Sequence, residues 1–344
     1  MPKAQMRLSL VLMSLLAAAS FAAAQSLPTL QDHTKDQNQN QDQSVETLKV
    51  QVNVVQLFFN VKDKKGGLIP DQKKEDFELF EDGKPQTIKY FTAESNLPLT
   101  LGILIDTSGS QMRVLDMEKE VGGAFLNDIL REKDEAFVIS FDVNVDLLQD
   151  FTNDKRRLKD AMNNTKINAG HGGGLPGMGG GPIPTSNPRG TLLYDAVYLA
   201  AHDELAHEVG RKAMILLTDG EDQGSQLHIR DAIESAQKSD SICYVLMIAD
   251  RGFAYGGLGY TGDSEMKKLA AETGGRVIEV GNKFDKLKEA FDQIARELRS
   301  QYNVGYTPTN TTPDGSFRKV EVRSKQGYKI QTRSGYYAIA HNRD

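Results

Sequence analysis

The residues Leu99-Thr-Leu-Gly-Ile-Leu-Ile105 run straight into Asp106-Thr-Ser-Gly-Ser110. Seven apolar or β-branched positions without helical spacing fit one strand buried on both faces. Such a strand needs a sheet covered on both sides, which restricts the chain to a layered α/β architecture. Beyond the strand, Gly109 permits a tight turn. Alternate residues of an extended loop point the same way, so Asp106, Ser108 and Ser110 converge just past the strand's end. In open α/β sheets that edge is where ligands bind. One carboxylate and two hydroxyls are hard oxygen donors, suited to Mg²⁺ first, with Mn²⁺ or Ca²⁺ as substitutes.

From Leu97 onward, strand and helix patterns alternate. Strands are expected at Glu135–Phe141, Ala213–Thr218, Ile242–Ile248 and Arg276–Val280. Met112–Leu130 carries apolar residues at 114, 117, 121, 125 and 129, the face of a helix. Further helices are expected at Asp154–Asn164, Thr191–His207, Gln226–Lys238 with Ser225 as N-cap, and Asp263–Thr273. The last, Phe284–Arg299, places Phe284, Leu287, Phe291, Ile294 and Leu298 on one face. Strands separated by helices predict a mostly parallel sheet with right-handed crossovers.

The residues flanking this region read differently. Residues 45–96 contain the strand patterns 48–61, 77–80 and 87–92, with turns at 64–67 and 81–84. Residues 301–340 contain three alternating stretches, 301–306, 317–323 and 328–333, and a short aromatic ending at 333–337. Each flank offers about three strands, few for independent stability. The expectation is one discontinuous, β-sandwich-like domain with the α/β domain of residues 97–300 inserted in it.

The N-terminus has export features. Lys3 and Arg7 precede the apolar stretch Leu8–Ala18, and Ala22-Ala-Ala24 forms a small-residue cleavage site before Gln25. Residues 1–24 therefore read as a signal peptide. The apolar stretch is short for a bilayer span, and no other stretch is long and apolar enough, so no transmembrane segment is expected after cleavage. Residues 25–44 are rich in Gln, Asn and Asp and read as a disordered linker. A periplasmic, cell-envelope or secreted location follows. Cys243, the single cysteine, lies in an apolar strand pattern and reads as a small core residue. A formal net charge of −6 gives no indication of nucleic-acid binding.

Asn168–Gly190 interrupts the alternation with two Gly-Gly-Gly runs and four prolines. It is long for a connection and leads directly into Thr191, so a mobile rim beside that residue is expected. His171 within it reads as solvated. A phosphate-binding loop is not supported, because the Gly-Lys-Ser/Thr ending is missing.

The set Asp106-x-Ser108-x-Ser110, Thr191 and the Thr218-Asp219-Gly220 that closes an apolar strand resembles the von Willebrand factor A (VWA) family over roughly residues 97–300. The resemblance implies a Rossmann-like, doubly wound sheet. It also implies a metal-ion-dependent adhesion site made of Asp106, Ser108, Ser110, Thr191 and Asp219. In that family an acidic group of a partner protein completes the coordination of the cation. With Glu75–Gly83, Gln301–Tyr306 and Arg333–Tyr337, the chain also resembles the exported bacterial VWFA-related domain family.

Three functions compete on these grounds. The first is a metal-dependent protein-binding module. The second is a structural envelope protein with a vestigial site. The third, a metal-dependent hydrolase or phosphotransferase, is weakened because Ser108 stands where an aspartyl-phosphate loop needs a second Asp. Nor is any His or Lys spaced as a general base. The chain therefore reads as a non-enzyme, with its cation site at the surface.

Overall fold

The computed structural model describes residues 54–94, 97–167, 190–248 and 262–339. The signal-peptide and linker expectations, the Gly-rich residues 168–189 and His171 lie outside the described residues. Among those described, no helix is long and apolar enough to cross a membrane.

The centre is a six-stranded sheet in the order β10-β9-β8-β5-β6-β7. Its strands are β5 (Leu99–Asp106), β6 (Glu135–Phe141), β7 (Val145–Thr152), β8 (Arg211–Thr218), β9 (Ser241–Met247) and β10 (Val277–Glu279). All neighbouring pairs are parallel except β6 with β7. β7 is absent from the sequence expectation. It is an edge strand without a fully buried residue, so the continuous apolar signal of a buried strand is missing.

Every residue of β5 and β8 is buried. Leu101, Ile103 and Ile105 join the hydrophobic cluster formed with α1 (Leu115–Ile129), α2 (Lys155–Asn164) and α6 (Phe284–Arg299). Leu104 and Phe137 join the cluster on the other face, with α3 (Leu193–Leu199), α4 (Ile229–Lys238) and α5 (Gly262–Thr273). The sheet is thus doubly wound. Gly102 faces Phe137 so closely that a Cβ there would lie 2.5 Å from the ring's Cζ.

Two four-stranded antiparallel sheets complete the fold, ordered β13-β1-β11-β4 and β14-β12-β2-β3. Each combines strands from both ends of the chain. β1 (Val55–Lys62) lies between β11 (Gln301–Tyr306) and β13 (Lys329–Gln331), and β11 also pairs with β4 (Tyr90–Glu94). β2 (Phe77–Glu81) lies between β3 (Lys84–Gln86) and β12 (Phe317–Ser324), which pairs with β14 (Gly335–Tyr337). Their shared core contains Phe59, Phe77, Tyr302 and Val304. Asp82 and Gly83 both have positive φ, as a two-residue hairpin turn requires.

Three local expectations need correcting. The stretch 84–94 forms two strands, β3 and β4, rather than one at 87–92. The helix expected from Met112 begins as a 3₁₀ turn at Gly109–Arg113 and becomes α-helical at Leu115. Phe284, assigned to the buried face of α6, is 43% exposed, and that face holds Leu287, Ala290, Phe291, Ile294, Glu297 and Leu298 instead.

Candidate metal centre

The central strands deliver the first part of the site. β5 ends at Asp106, and its neighbour β8 ends at Thr218, immediately before Asp219. The chain passes from β5 to β6 on one side and later to β8 on the other, so the site lies at the switch in strand order. The Thr218 hydroxyl donates to Asp106 Oδ2 at 2.7 Å, and the Ser108 amide donates to Asp106 Oδ1 at 3.0 Å. Ser108 and Ser110 share a hydroxyl hydrogen bond of 2.9 Å. The Ser110 side chain favours the charged form of Asp219, and the Glu221 amide donates to Asp219 Oδ1 at 3.2 Å. Asp106, Ser108, Ser110 and Asp219 are therefore gathered at the ends of two neighbouring strands, with Ser108 joined to Asp106 through its amide and to Ser110 through its hydroxyl.

Thr191, the fifth, approaches from the residues before α3. Its carbonyl accepts from the Gln223 amide at 3.0 Å, tying it to the loop that follows Asp219. On its other side, the Leu192 amide donates to the Asp142 carbonyl at 2.8 Å, while the Thr107 hydroxyl donates to Asp142 Oδ2 at 2.8 Å. Asp142 thus fastens Thr191's neighbour to the loop that carries Ser108. Ser225 is not the N-cap of α4; His228 holds that position. Its hydroxyl oxygen instead accepts from the Tyr194 and Asp195 amides, capping the start of α3 just beyond Thr191.

The carboxylates are not at the surface, and here the sequence expectation is corrected. Asp106 is 0% exposed, Asp219 4% and Thr191 6%. Ser110 is exposed and Ser108 half-buried. Asp106, Thr191 and Asp219 are thus buried while Ser110 is exposed. Gly220, next to Asp219, has φ +85, a conformation in which an L side chain would be strained, and it faces Met247 and Met266. Met112, two residues after Ser110, is exposed.

The electrostatics follow from this geometry. Burial first, and the nearby Asp219 charge second, push the Asp106 carboxyl up to about 7. Burial likewise raises Asp219. Among the described residues, no basic group figures among the influences on either carboxylate. Buried charge of one sign is costly unless a counter-charge is supplied. A hard divalent cation fits this donor set: two carboxylates supply charge, and hydroxyls supply neutral oxygens.

Sequence reasoning missed two buried residues close by. Gln111 and Glu118 are both 0% exposed, and no side-chain nitrogen or oxygen of either has a hydrogen-bond partner among the described residues. The missed signal was a break in pattern. Glu118 is fully buried on α1 between Leu115 and Val121, while Met117 packs only partly buried against the same core.

No family model matches the chain, and no curated protein matches it by sequence. Solved VWA structures are among those it is similar to. A von Willebrand factor type A protein from Catenulispora acidiphila is 14% identical, with 77% of this chain and 73% of that one covered and a TM-score of 0.47. The conserved hypothetical protein BatB from Bacteroides thetaiotaomicron is 19% identical, with 59% and 100% covered and a TM-score of 0.43. Proximal thread matrix protein 1 from the mussel byssus, with a zinc-occupied MIDAS motif, is 15% identical. The alignment covers 63% of this chain and 49% of the mussel chain, with a TM-score of 0.46.

Proposed function

We propose that this chain is an exported VWA-type binding protein. In this reading Asp106, Ser108, Ser110, Thr191 and Asp219 hold one divalent cation, Mg²⁺ in the first place, that recruits an acidic group of a partner protein. The observation that carries it is the placing of two buried carboxylates, with no basic partner among the described residues, beside the hydrogen-bonded Ser108 and Ser110 hydroxyls. Bound there, the cation supplies an electrophilic position for an incoming carboxylate. Asp106 and Asp219 neutralise its charge without exceeding it, and the hydroxyls orient it while leaving it electrophilic. Thr218 and the Ser108 and Glu221 amides fix the two carboxylates, so little reorganisation is needed on binding. The role is binding rather than catalysis, because no nucleophile–base pair forms part of this set.

Export rests on the sequence of residues 1–24, with processing near Gln25. The domain division proposed is 45–96 with 301–340 as one β domain and 97–300 as the VWA domain. The cation assignment is tested by titrating Mg²⁺ or Mn²⁺ into the wild type and Asp106→Asn in a calorimeter. Because Asp106 is buried, the isosteric amide is preferable to alanine. The wild type should bind one equivalent and the variant should lose most of its affinity. Equal uptake by both overturns the assignment. The partner claim is tested by capture from envelope extract with and without EDTA; undiminished binding in EDTA overturns it.

A further inference from the structure

Glu118 occupies the first turn of α1, on the face that otherwise packs Leu115, Val121, Phe125 and Ile129 into the core. A carboxylate in that row opposes folding, because burial without partners costs more than an apolar side chain of similar size. Both its oxygens are buried and unpaired, as are both polar atoms of Gln111, seven residues earlier on the turn that carries Ser110. Four orphaned polar atoms in one core region need partners that the described side chains do not supply. They are not remote from the site. Beyond burial itself, the two charges that push the Glu118 carboxyl well up are those of Asp106 and Asp219.

We propose that Glu118 and Gln111 form the inner wall of the cation site, where the Glu118 carboxylate and the Gln111 amide hold the ion's inward-facing water and so position the ion above Asp106 and Asp219. The proposal rests on the cation reading given above. It explains three features together: a carboxylate in a helix's apolar row, an unpaired buried amide on the turn that carries Ser110, and the nearness of Glu118 to the two site carboxylates. A cation with its water would give the orphaned atoms partners and bring positive charge beside the buried acidic groups. Glu118 acts here as a positioning residue through water, and the exposed position above the hydroxyls stays open to a partner.

The test uses the full chain, Mg²⁺ alone as probe, and the variants Glu118→Gln, Glu118→Leu and Gln111→Leu. Calorimetry should show affinity for Mg²⁺ reduced by roughly 10- to 100-fold in each Glu118 variant, the range for loss of an outer support of a metal site. Without cation, Glu118→Leu should melt roughly 2–4 °C higher than wild type, because the unpaired buried carboxylate is gone. Opposite signs on cation-free stability and cation affinity are what a merely structural residue would not give. Wild-type affinity in both Glu118 variants overturns this proposal while leaving the cation reading intact. No Mg²⁺ uptake by the wild type overturns both. If Glu118→Leu misfolds, the isosteric Glu118→Gln still decides the affinity arm.

Discussion

Glu297 sits near the C-terminal end of α6 with its side chain 4% exposed, between two cations. Lys62 Nζ of β1 and Arg276 Nη2 each approach its Oε1 at 2.7 Å, and Gln331 Nε2 of β13 donates to its Oε2 at 3.2 Å. The Asn60 amide group donates to the Glu297 carbonyl at 2.9 Å, so both backbone and side chain bind α6 to the antiparallel strands. Glu297→Ala leaves two positive charges facing each other without a counter-ion. Breaking a buried pair in this way costs about 3–5 kcal/mol. Arg276 is 33% exposed and keeps part of its hydration, which favours the lower end, about 3 kcal/mol. With a urea m-value of about 3 kcal/mol/M, the unfolding midpoint should fall by about 1 M. The Lys62 ammonium is held below its ordinary value, burial outweighing the attraction of Glu297. The cluster therefore contributes little net stability, and replacing all three charges (Lys62→Met, Arg276→Met and Glu297→Leu) should lie within about 1 kcal/mol of wild type. A Glu297→Ala cost under about 1 kcal/mol, or a triple variant as damaged as the single one, refutes this account.

Lys212 on β8 is 9% exposed, and burial lowers its ammonium from 10.5 to about 8. Between those values the unfolded chain holds a proton that the folded chain has released, so this group's contribution to stability rises with pH. Lys212→Met should be more stable than wild type at pH 7, and the gap should narrow by about 2 kcal/mol at pH 9.5 in urea titrations. A gap independent of pH refutes the buried ammonium. Gly102→Ala should cost about 1–3 kcal/mol through its clash with Phe137, and Phe137→Leu in the same chain should recover part of that loss. Equal stability of Gly102→Ala and wild type in thermal melts contradicts the close approach. The isolated fragment 45–94 should show no cooperative melt, because β1 finds its described strand partners only in β11 and β13; a sharp transition refutes this.

How much of the fold was legible depended on burial. Strands β5, β8 and β9, buried throughout or nearly so, produce unbroken apolar runs that sequence periodicity detects. Helix α6 spans Phe284–Arg299 as expected, because its apolar stripe is strong and its flanks are polar. β7 escaped detection because an edge strand with an exposed face follows no buried pattern. Ser225 was misplaced for a different reason. A serine before a helical pattern is a plausible N-cap for that helix, but tertiary structure can give its hydroxyl to another. Here Tyr194 and Asp195, thirty residues back in the chain, receive it.

The candidate site divides along the same line. Asp106, Ser108 and Ser110 are adjacent in the chain, so the alternation of an extended loop suffices to bring them together. The burial of the carboxylates was not legible, because it depends on what lies over a strand's end rather than on the strand. Asp142, Thr218, Gln111 and Glu118 act through contacts or fields created by folding, and no spacing announces them. Yet Glu118 left one trace. Residue 118 lies four positions after 114 and three before 121, so a helix face drawn through 114, 121 and 125 includes it, and in α1 its carboxylate is fully buried in that row while Met117 packs only partly buried against the same core. A search for apolar spacing passes over it, because such a search registers the apolar members of a face and not the charged residue that geometry places among them.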